Sequence, residues 1–600
     1  MKKLLIFFVL GVCCTGLFGQ TPAETWRAKI APEIRAALDR GESADVLVVF
    51  EEKADLRTAQ TLKTKSERAR FVFSRLQETA TRSQENALKI LHENGAAANT
   101  LFLVNALGLG KADAYLLQKL AELPEIEAII ADPWMNFSTP TETINHSGTV
   151  SDRSGVEWGI AKIQAPEVWA LGYSGQGITV GGADTGFDWT HPAIQGKYRG
   201  WTGDIATSQH HFNWHDAIHD LSPLNNDSLG NPGNNPCGLN TTVPCDDNNH
   251  GTHTMGTMTG DDGLGNQIGV APAANWIACR NMERGWGKPS SYIECFQWFL
   301  APTDLGGLNP DPTKAPHVVN NSWYCSTEEG CTDFTVNELL QDAVINLKAS
   351  GVVVVVSNGN FGSGCATTYG PPAYFEESFS VGSTRSDNFI SGFSSRGPVL
   401  IDGSNRMKPN VSAPGEDVRS CILGGNYANF SGTSMAGPHV AGLVALVLSA
   451  NPALAGHVDD IEEIVEQTAI YFSDTLDCGM GSPGIARPNH AYGWGRVDAL
   501  GAVQAALLWQ PSVGTDSPVL PIATVSPNPL REAAIFTLEN LSGETLLEIF
   551  NAEGKQIFAK KWLAQNLETL RIPFDNQATG VYFWKLKSGN GVASGKLVRE

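Results

Sequence analysis

The chain has 600 residues, with 42 Lys plus Arg against 63 Asp plus Glu and a formal net charge of −21. That length exceeds one domain, and a chain so acidic is repelled by phosphate; with no basic patch in the sequence, nucleic acid is excluded as a partner. A hydrophobic content of 42% excludes global disorder, and 62 Gly with 32 Pro point to a loop-rich enzyme or β-protein rather than a helical bundle.

Residues 1–19 read as a signal peptide: Lys2 and Lys3 lead an apolar run from Leu4 to Leu10, and the small residues Gly16 and Gly19 precede Gln20. The run is too short to span a bilayer, and no other stretch of 18 apolar residues follows, so export without an integral membrane segment is expected. Export makes disulfides permissible. Nine cysteines follow the leader, all between Cys237 and Cys478. The close pairs Cys237/Cys245 and Cys325/Cys331 suit small surface loops, and an odd total leaves at least one thiol over. No Cys-x-x-Cys occurs among them, which argues against structural zinc.

Residues 20–140 form a small α+β unit. Val46–Phe50 reads as a buried strand, Glu67–Glu93 as a helix with Phe73, Leu76, Ala80, Ala87 and Leu91 on one face, and Leu101–Leu107 as a second strand. A helix over Ala112–Leu123 and a strand over Ile126–Ala131 complete a βαβαβ order, which suggests an antiparallel sheet with helices on one side. Ser138–Ser154 reads as a linker. From 155 to 508 buried strands alternate with Gly-rich turns and helices, as in a largely parallel α/β sheet; the five valines Val352–Val356 suit only a fully buried strand. After a spacer over Trp509–Pro521, residues 522–600 carry short alternating strands such as Ala534–Leu538 and Val581–Leu586, the pattern of a small β-sandwich.

Three segments of the central region place a reactive side chain at an element end. Ile178–Gly186 is a strand delivering Asp184, His250–Gly256 starts a helix with His250, and Ser431–Gly442 places Ser434 where a Gly-bearing turn enters a helix. A serine hydroxyl is a weak nucleophile; an imidazole must take its proton, and a buried carboxylate must orient that imidazole. Each segment alone has a bland structural reading, but the order Asp…His…Ser is the one found in subtilisin.

Asp184-Thr185-Gly186, His250-Gly251-Thr252-His253 and Gly432-Thr433-Ser434-Met435-Ala436 together resemble the three signatures of the subtilisin-like serine proteases. The resemblance runs from about Trp158 to Leu508, with Phe393–Pro398 and Lys408–Gly415 in support. Ile277–Met282 and Cys295–Leu300 look most like the bacillopeptidase F branch. It implies a subtilisin-like fold, a secreted serine endopeptidase made as a zymogen, and no organic cofactor. By the same likeness Asn360, in Ser357–Gly362, is the side-chain amide of the oxyanion hole, with Asn358 the rival. Asn320, Asn321, Ser322 and Trp323 correspond to a substrate-binding edge, Phe361 borders the P1 pocket, and Gly370 leaves its floor open. Tyr324 stands where the family often has Gly, which would narrow the unprimed subsites.

His253 and His439 are expected to pack helices. The Asn- and Asp-rich loop Asn225–Asn249 offers oxygens of the kind calcium takes, and a solvated insertion accounts for it equally. The N-terminal unit resembles the propeptide of these proteases, an intramolecular inhibitor. The tail resembles the sorting domain of type IX secretion through Ser526-Pro527-Asn528-Pro529, Gly580–Phe583 and Gly595–Val598; an adhesive or carbohydrate-binding sandwich is its alternative. For the whole chain the rival reading is a catalytically silent surface-binding protein on the same scaffold.

Overall fold

The computed structural model describes residues 22–136, 155–224, 235–324, 334–473, Cys478, 487–511 and, apart from short turns, 522–599. The leader 1–19, the linker 138–154, the loop residues 225–234 and the Cys325/Cys331 pair lie outside the described residues. Contacts divide the chain into two units, Met1–Trp509 and Gln510–Glu600.

The centre of the first unit is a seven-stranded sheet. Its spatial order is Val411–Pro414, Phe379–Thr384, Val353–Ser357, Val318–Asn321, Thr179–Asp184, Asn275–Arg280 and Trp214–Asp216. Every neighbouring pair is parallel. The valine run explains why it lies in the middle. Val353 and Val355 enter one hydrophobic core, while Val352, Val354 and Val356 enter the other. Side chains alternate across a strand, so only a sheet covered on both faces accepts such a run. The first core contains the helix Thr433–Ala450, buried over nearly all its length, which is why it can be apolar all round. It is long and apolar enough to cross a membrane, and here it is the core helix. The helices Pro289–Leu300 and Phe334–Ala349 cover the other face.

Strand Thr179–Asp184 lies between Val318–Asn321 on one side and Asn275–Arg280 on the other. Successive connections therefore leave this strand in opposite directions, and such a switch point opens a crevice at the carboxyl ends of the strands.

Residues 22–136 of the same unit carry a second sheet. Four antiparallel strands run in the order Asn99–Leu101, Ala106–Ala112, Ala44–Phe50, Ile126–Ala131. The single strand expected over Leu101–Leu107 is instead a hairpin, because Asn105 turns the chain with φ 52°. The expected helix Glu67–Glu93 divides into Lys65–Ser83 and Glu85–Glu93. The Ser83 hydroxyl and the Gln84 amide both donate to Asn105 Oδ1 at 3.0 Å, tying the break to the hairpin. The helix predicted from Ala112 begins at Ala114, capped by Asp113. Alternation divides the sheet: Val46, Val48 and Phe50 pack with the helices of residues 22–136, while Leu47 and Val49 join the core that contains Val352, Val354 and Val356.

Among the described residues, disulfides join Cys237–Cys245, Cys279–Cys295 and Cys365–Cys478, and Cys421 is a buried free thiol whose pKa burial pushes up. The C-terminal unit has a three-stranded sheet, Ile522–Ser526, Ala533–Glu539 and Leu567–Pro573, and a four-stranded sheet, Gln556–Ala564, Gly543–Asn551, Gly580–Ser588 and Gly591–Arg599. Phe536, Leu547, Ile549, Trp584 and Leu597 share one core, as in a β-sandwich.

Candidate active site

Asp184 ends its strand at the crevice and is almost fully buried. His250 is the first residue of the helix His250–Thr259, and its Nδ1 lies 2.7 Å from Asp184 Oδ1. That Oδ1 also accepts from the Thr185 amide at 2.8 Å. A carboxylate oxygen at Nδ1 selects the imidazole tautomer with its proton there, which makes Nε2 the acceptor nitrogen of the ring.

The spacing of this pair is held by a residue that sequence reading passed over. Asp246 is buried, and its Oδ1 accepts from the Thr185 hydroxyl and the Asn248 amide, both at 2.9 Å. Its Oδ2 accepts from the Thr252 amide at 3.0 Å and the Thr252 hydroxyl at 2.5 Å. Thr185 in turn accepts from the Gly251 amide at 3.1 Å. One carboxylate thus joins the turn after Asp184 to the first turn of the His250 helix, satisfying backbone donors that the helix start leaves open. Burial raises the Asp246 pKa against these hydrogen bonds. Gly186 permits the approach: its φ is 112°, and any side chain there would strike the carbonyl of Cys245. The available signal was an Asp four residues ahead of His250, directly after a disulfide cysteine.

Ser434 lies in the first turn of Thr433–Ala450, and this helix packs against the His250 helix. Its Oγ donates to the carbonyl of Ser322 at 3.1 Å. Asn360 Oδ1 accepts from both the amide and the hydroxyl of Thr433 at 2.9 Å. The Asn360 Nδ2 is buried and has no hydrogen-bond partner among the described residues. A buried amide N–H left open beside a helix N-terminus is poised for an anion. Asn358 differs: its Nδ2 already donates to the Thr368 hydroxyl at 3.0 Å and the Ser395 carbonyl at 2.6 Å.

Of Asn320, Asn321, Ser322 and Trp323, expected as a substrate-binding edge, the first two do not lie on a sheet edge, and Ser322 and Trp323 follow the end of their strand. Asn320 and Asn321 belong to an interior strand with neighbours on both sides, so their backbone groups are already in ladders. All four residues are at most 1% exposed, and Trp323 stacks on Tyr292 with centroids 4.2 Å apart. The edge that does receive an extended segment is Trp286–Gly287. Met135–Asn136, at the end of the N-terminal domain, pairs with it antiparallel, Met135 opposite Gly287 and Asn136 opposite Trp286. A two-residue strand has too short an alternation to be read from sequence.

Further bonds tie that domain to the helix Pro289–Leu300. Asp132 accepts from the Ser290 amide at 3.0 Å and hydroxyl at 2.6 Å, acting as a helix cap supplied from outside the helix. Lys288 pairs with Asp45 at 2.7 Å. Glu294 is buried and meets His215 Nε2 at 2.7 Å, His219 Nε2 at 3.0 Å and the Asn99 amide at 2.5 Å. Burial alone would raise the Glu294 pKa, but the hydrogen bonds from His215 and His219 hold it at about 2. Hydrogen bonding to Glu294 raises His219 to about 9.

Phe361 is half-buried, edge-on to Tyr324 at 4.9 Å and stacked on Tyr369 at 4.6 Å; Gly370 is buried. Burial holds His253 at about 3 and His439 at about 4, and both rings bond main-chain carbonyls, as packing histidines do. Among the described residues no group of three or more His, Cys, Asp or Glu is arranged for a metal ion. Ten residues of the loop considered for calcium lie outside that description.

Residues 175–495 match the model of the subtilase family, and residues 524–600 match that of a secretion system C-terminal sorting domain. The chain is 32% identical to bacillopeptidase F of Bacillus subtilis over 510 residues, 80% of this chain and 33% of that protein. It is 29% identical to subtilisin E of the same species over 54% of this chain and 69% of that one. With subtilisin of Bacillus pumilus the identity is 30%, over 54% of this chain and 96% of the relative. The aligned region thus spans about a third of bacillopeptidase F.

Proposed function

The chain belongs to the subtilase family of serine peptidases, and on that footing we propose that it is a secreted serine endopeptidase made as a zymogen, with Asp184, His250 and Ser434 as its triad. Ser434 Oγ attacks the scissile carbonyl as His250 Nε2 takes its proton, and Asp184 at Nδ1 stabilises the imidazolium. The oxyanion accepts hydrogen bonds from Asn360 Nδ2 and the backbone N–H of Ser434. His250 then protonates the leaving amine, and water repeats the sequence on the acyl-enzyme. No step calls on a cofactor. The observation that carries this reading is the convergence of a 2.7 Å Asp184–His250 bond with an open, buried Asn360 amide beside the helix start that bears Ser434.

In this reading residues 20–140 are the propeptide, whose end occupies the Trp286–Gly287 edge that an extended substrate would use by strand addition. The tail 522–600 directs the enzyme through type IX secretion. Tyr324, Phe361 and Tyr369 give the P1 pocket an aromatic wall without a carboxylate, which favours large apolar P1 residues. Labelling by a serine-directed fluorophosphonate separates this from a silent binding scaffold. One label per chain, lost in Ser434→Ala along with about 10⁶ in kcat as in the relative subtilisin, is expected. An unlabelled mature enzyme rejects the proposal, and cleavage dominated by basic P1 residues rejects the pocket reading.

A further inference from the structure

Pro438 lies four residues after Ser434 inside the helix Thr433–Ala450. A helical carbonyl is normally satisfied by the N–H four residues on, and proline has none, so the helix itself cannot supply that donor to the Ser434 carbonyl. The carbonyl is buried, and a buried carbonyl without a donor is costly. The missing donor comes from another element: the Ser322 hydroxyl bonds the Ser434 carbonyl at 2.7 Å. That hydroxyl accepts in turn from Asn320 Nδ2 at 2.8 Å, which orients its proton toward Ser434. The Ser434 hydroxyl returns a bond to the Ser322 carbonyl at 3.1 Å, so the two serines clasp each other by main chain and side chain. Gly437 allows the strand to come this close, since a Cβ there would lie 2.9 Å from Asn320 Oδ1.

We propose that Ser322, backed by Asn320, is a positioning residue that holds the Ser434 backbone in register with the oxyanion donors by replacing the helix hydrogen bond that Pro438 removes. The inference rests on Ser434 being the nucleophile, which stoichiometric labelling of the unaltered enzyme tests by itself. The Ser322 hydroxyl acts through Ser434.

The test is compensation. The full chain is expressed and processed as wild type, Ser322→Ala, Ser322→Thr, and Ser322→Ala with Pro438→Ala. Active sites are counted by fluorophosphonate, and kcat and KM are measured per site. Ser322→Ala should lower kcat at least tenfold with KM within twofold. Ser322→Thr, which keeps the hydroxyl, should lose far less. Adding Pro438→Ala restores an N–H four residues after Ser434 and should recover most of the lost kcat. Wild-type kcat in Ser322→Ala, or a double variant no faster than Ser322→Ala, overturns the proposal. If Ser322→Ala yields no folded enzyme, the comparison is read on recovered folded protein: higher yield with Pro438→Ala supports the proposal, and equal yield overturns it.

Discussion

Asn360 Oδ1 accepts two hydrogen bonds from Thr433, the residue before Ser434, and this locks the amide with its Nδ2 free. The lock is made to the helix that bears Ser434, so the Asn360 amide and Ser434 are held together. Asn360→Ala should therefore lower kcat by about 10²–10³-fold, the range for losing one such donor in the relative subtilisin, with KM little changed. A change confined to KM would move Asn360 into substrate binding.

Asp246 bridges the turn after Asp184 and the first turn of the helix that begins with His250. Asp246→Asn replaces one acceptor oxygen with a donor that faces the donors of either Thr185 or Thr252. The expected result is a kcat lower by about 10²-fold, the scale of a small misplacement of reacting groups. The acid limb of the pH–rate profile should also move down, because an imidazolium less well placed against Asp184 is less stabilised. A variant that melts early but keeps that limb would reduce Asp246 to a stability role.

The N-terminal domain should inhibit when added separately to the mature enzyme. Asp132→Ala should weaken that inhibition by about tenfold or more, since two hydrogen bonds to one carboxylate are lost at the start of Pro289–Leu300. Inhibition unaffected by the substitution would place the binding energy in the strand pairing at Trp286–Gly287 alone.

The His219 pKa is raised to about 9 by its bond to Glu294, against about 6.5 when unfolded. A raised folded value gives stabilisation that is complete below about pH 6.5 and lost as pH rises through 9. Melting temperature should accordingly fall across that window, and His219→Gln should flatten the fall. Parallel curves for the two proteins would assign the pH dependence to other groups.

A chain ending at Pro511 retains Asp184, His250, Asn360 and Ser434 and should be catalytically competent. In its native host it should remain in the periplasm, because the sorting-domain match begins at residue 524. Normal release of the truncated enzyme would make the tail a binding or adhesion module.

The amino-acid sequence by itself determined what short-range chemistry encodes. Val352–Val356 could only be a doubly covered strand, the apolar run after Ser434 only a core helix, and the Asp184, His250 and Ser434 segments carry their turns and helix starts with them. Tertiary structure decided what depends on neighbours distant along the chain. Asn320 and Asn321 read as an edge until strands on both sides closed their ladders, and Trp286–Gly287 acquired its partner from Met135–Asn136. Asn105 broke a predicted strand because Ser83 and Gln84 lie within reach of its side chain. The hydrogen bonds of Asp246 and of Ser322 each cross between elements, 61 residues apart for Asp246 and Thr185 and 112 for Ser322 and Ser434. Hydrogen bonds are directional and effective only near 3 Å, so such partners are set by how the layers pack and leave no periodic trace in the sequence.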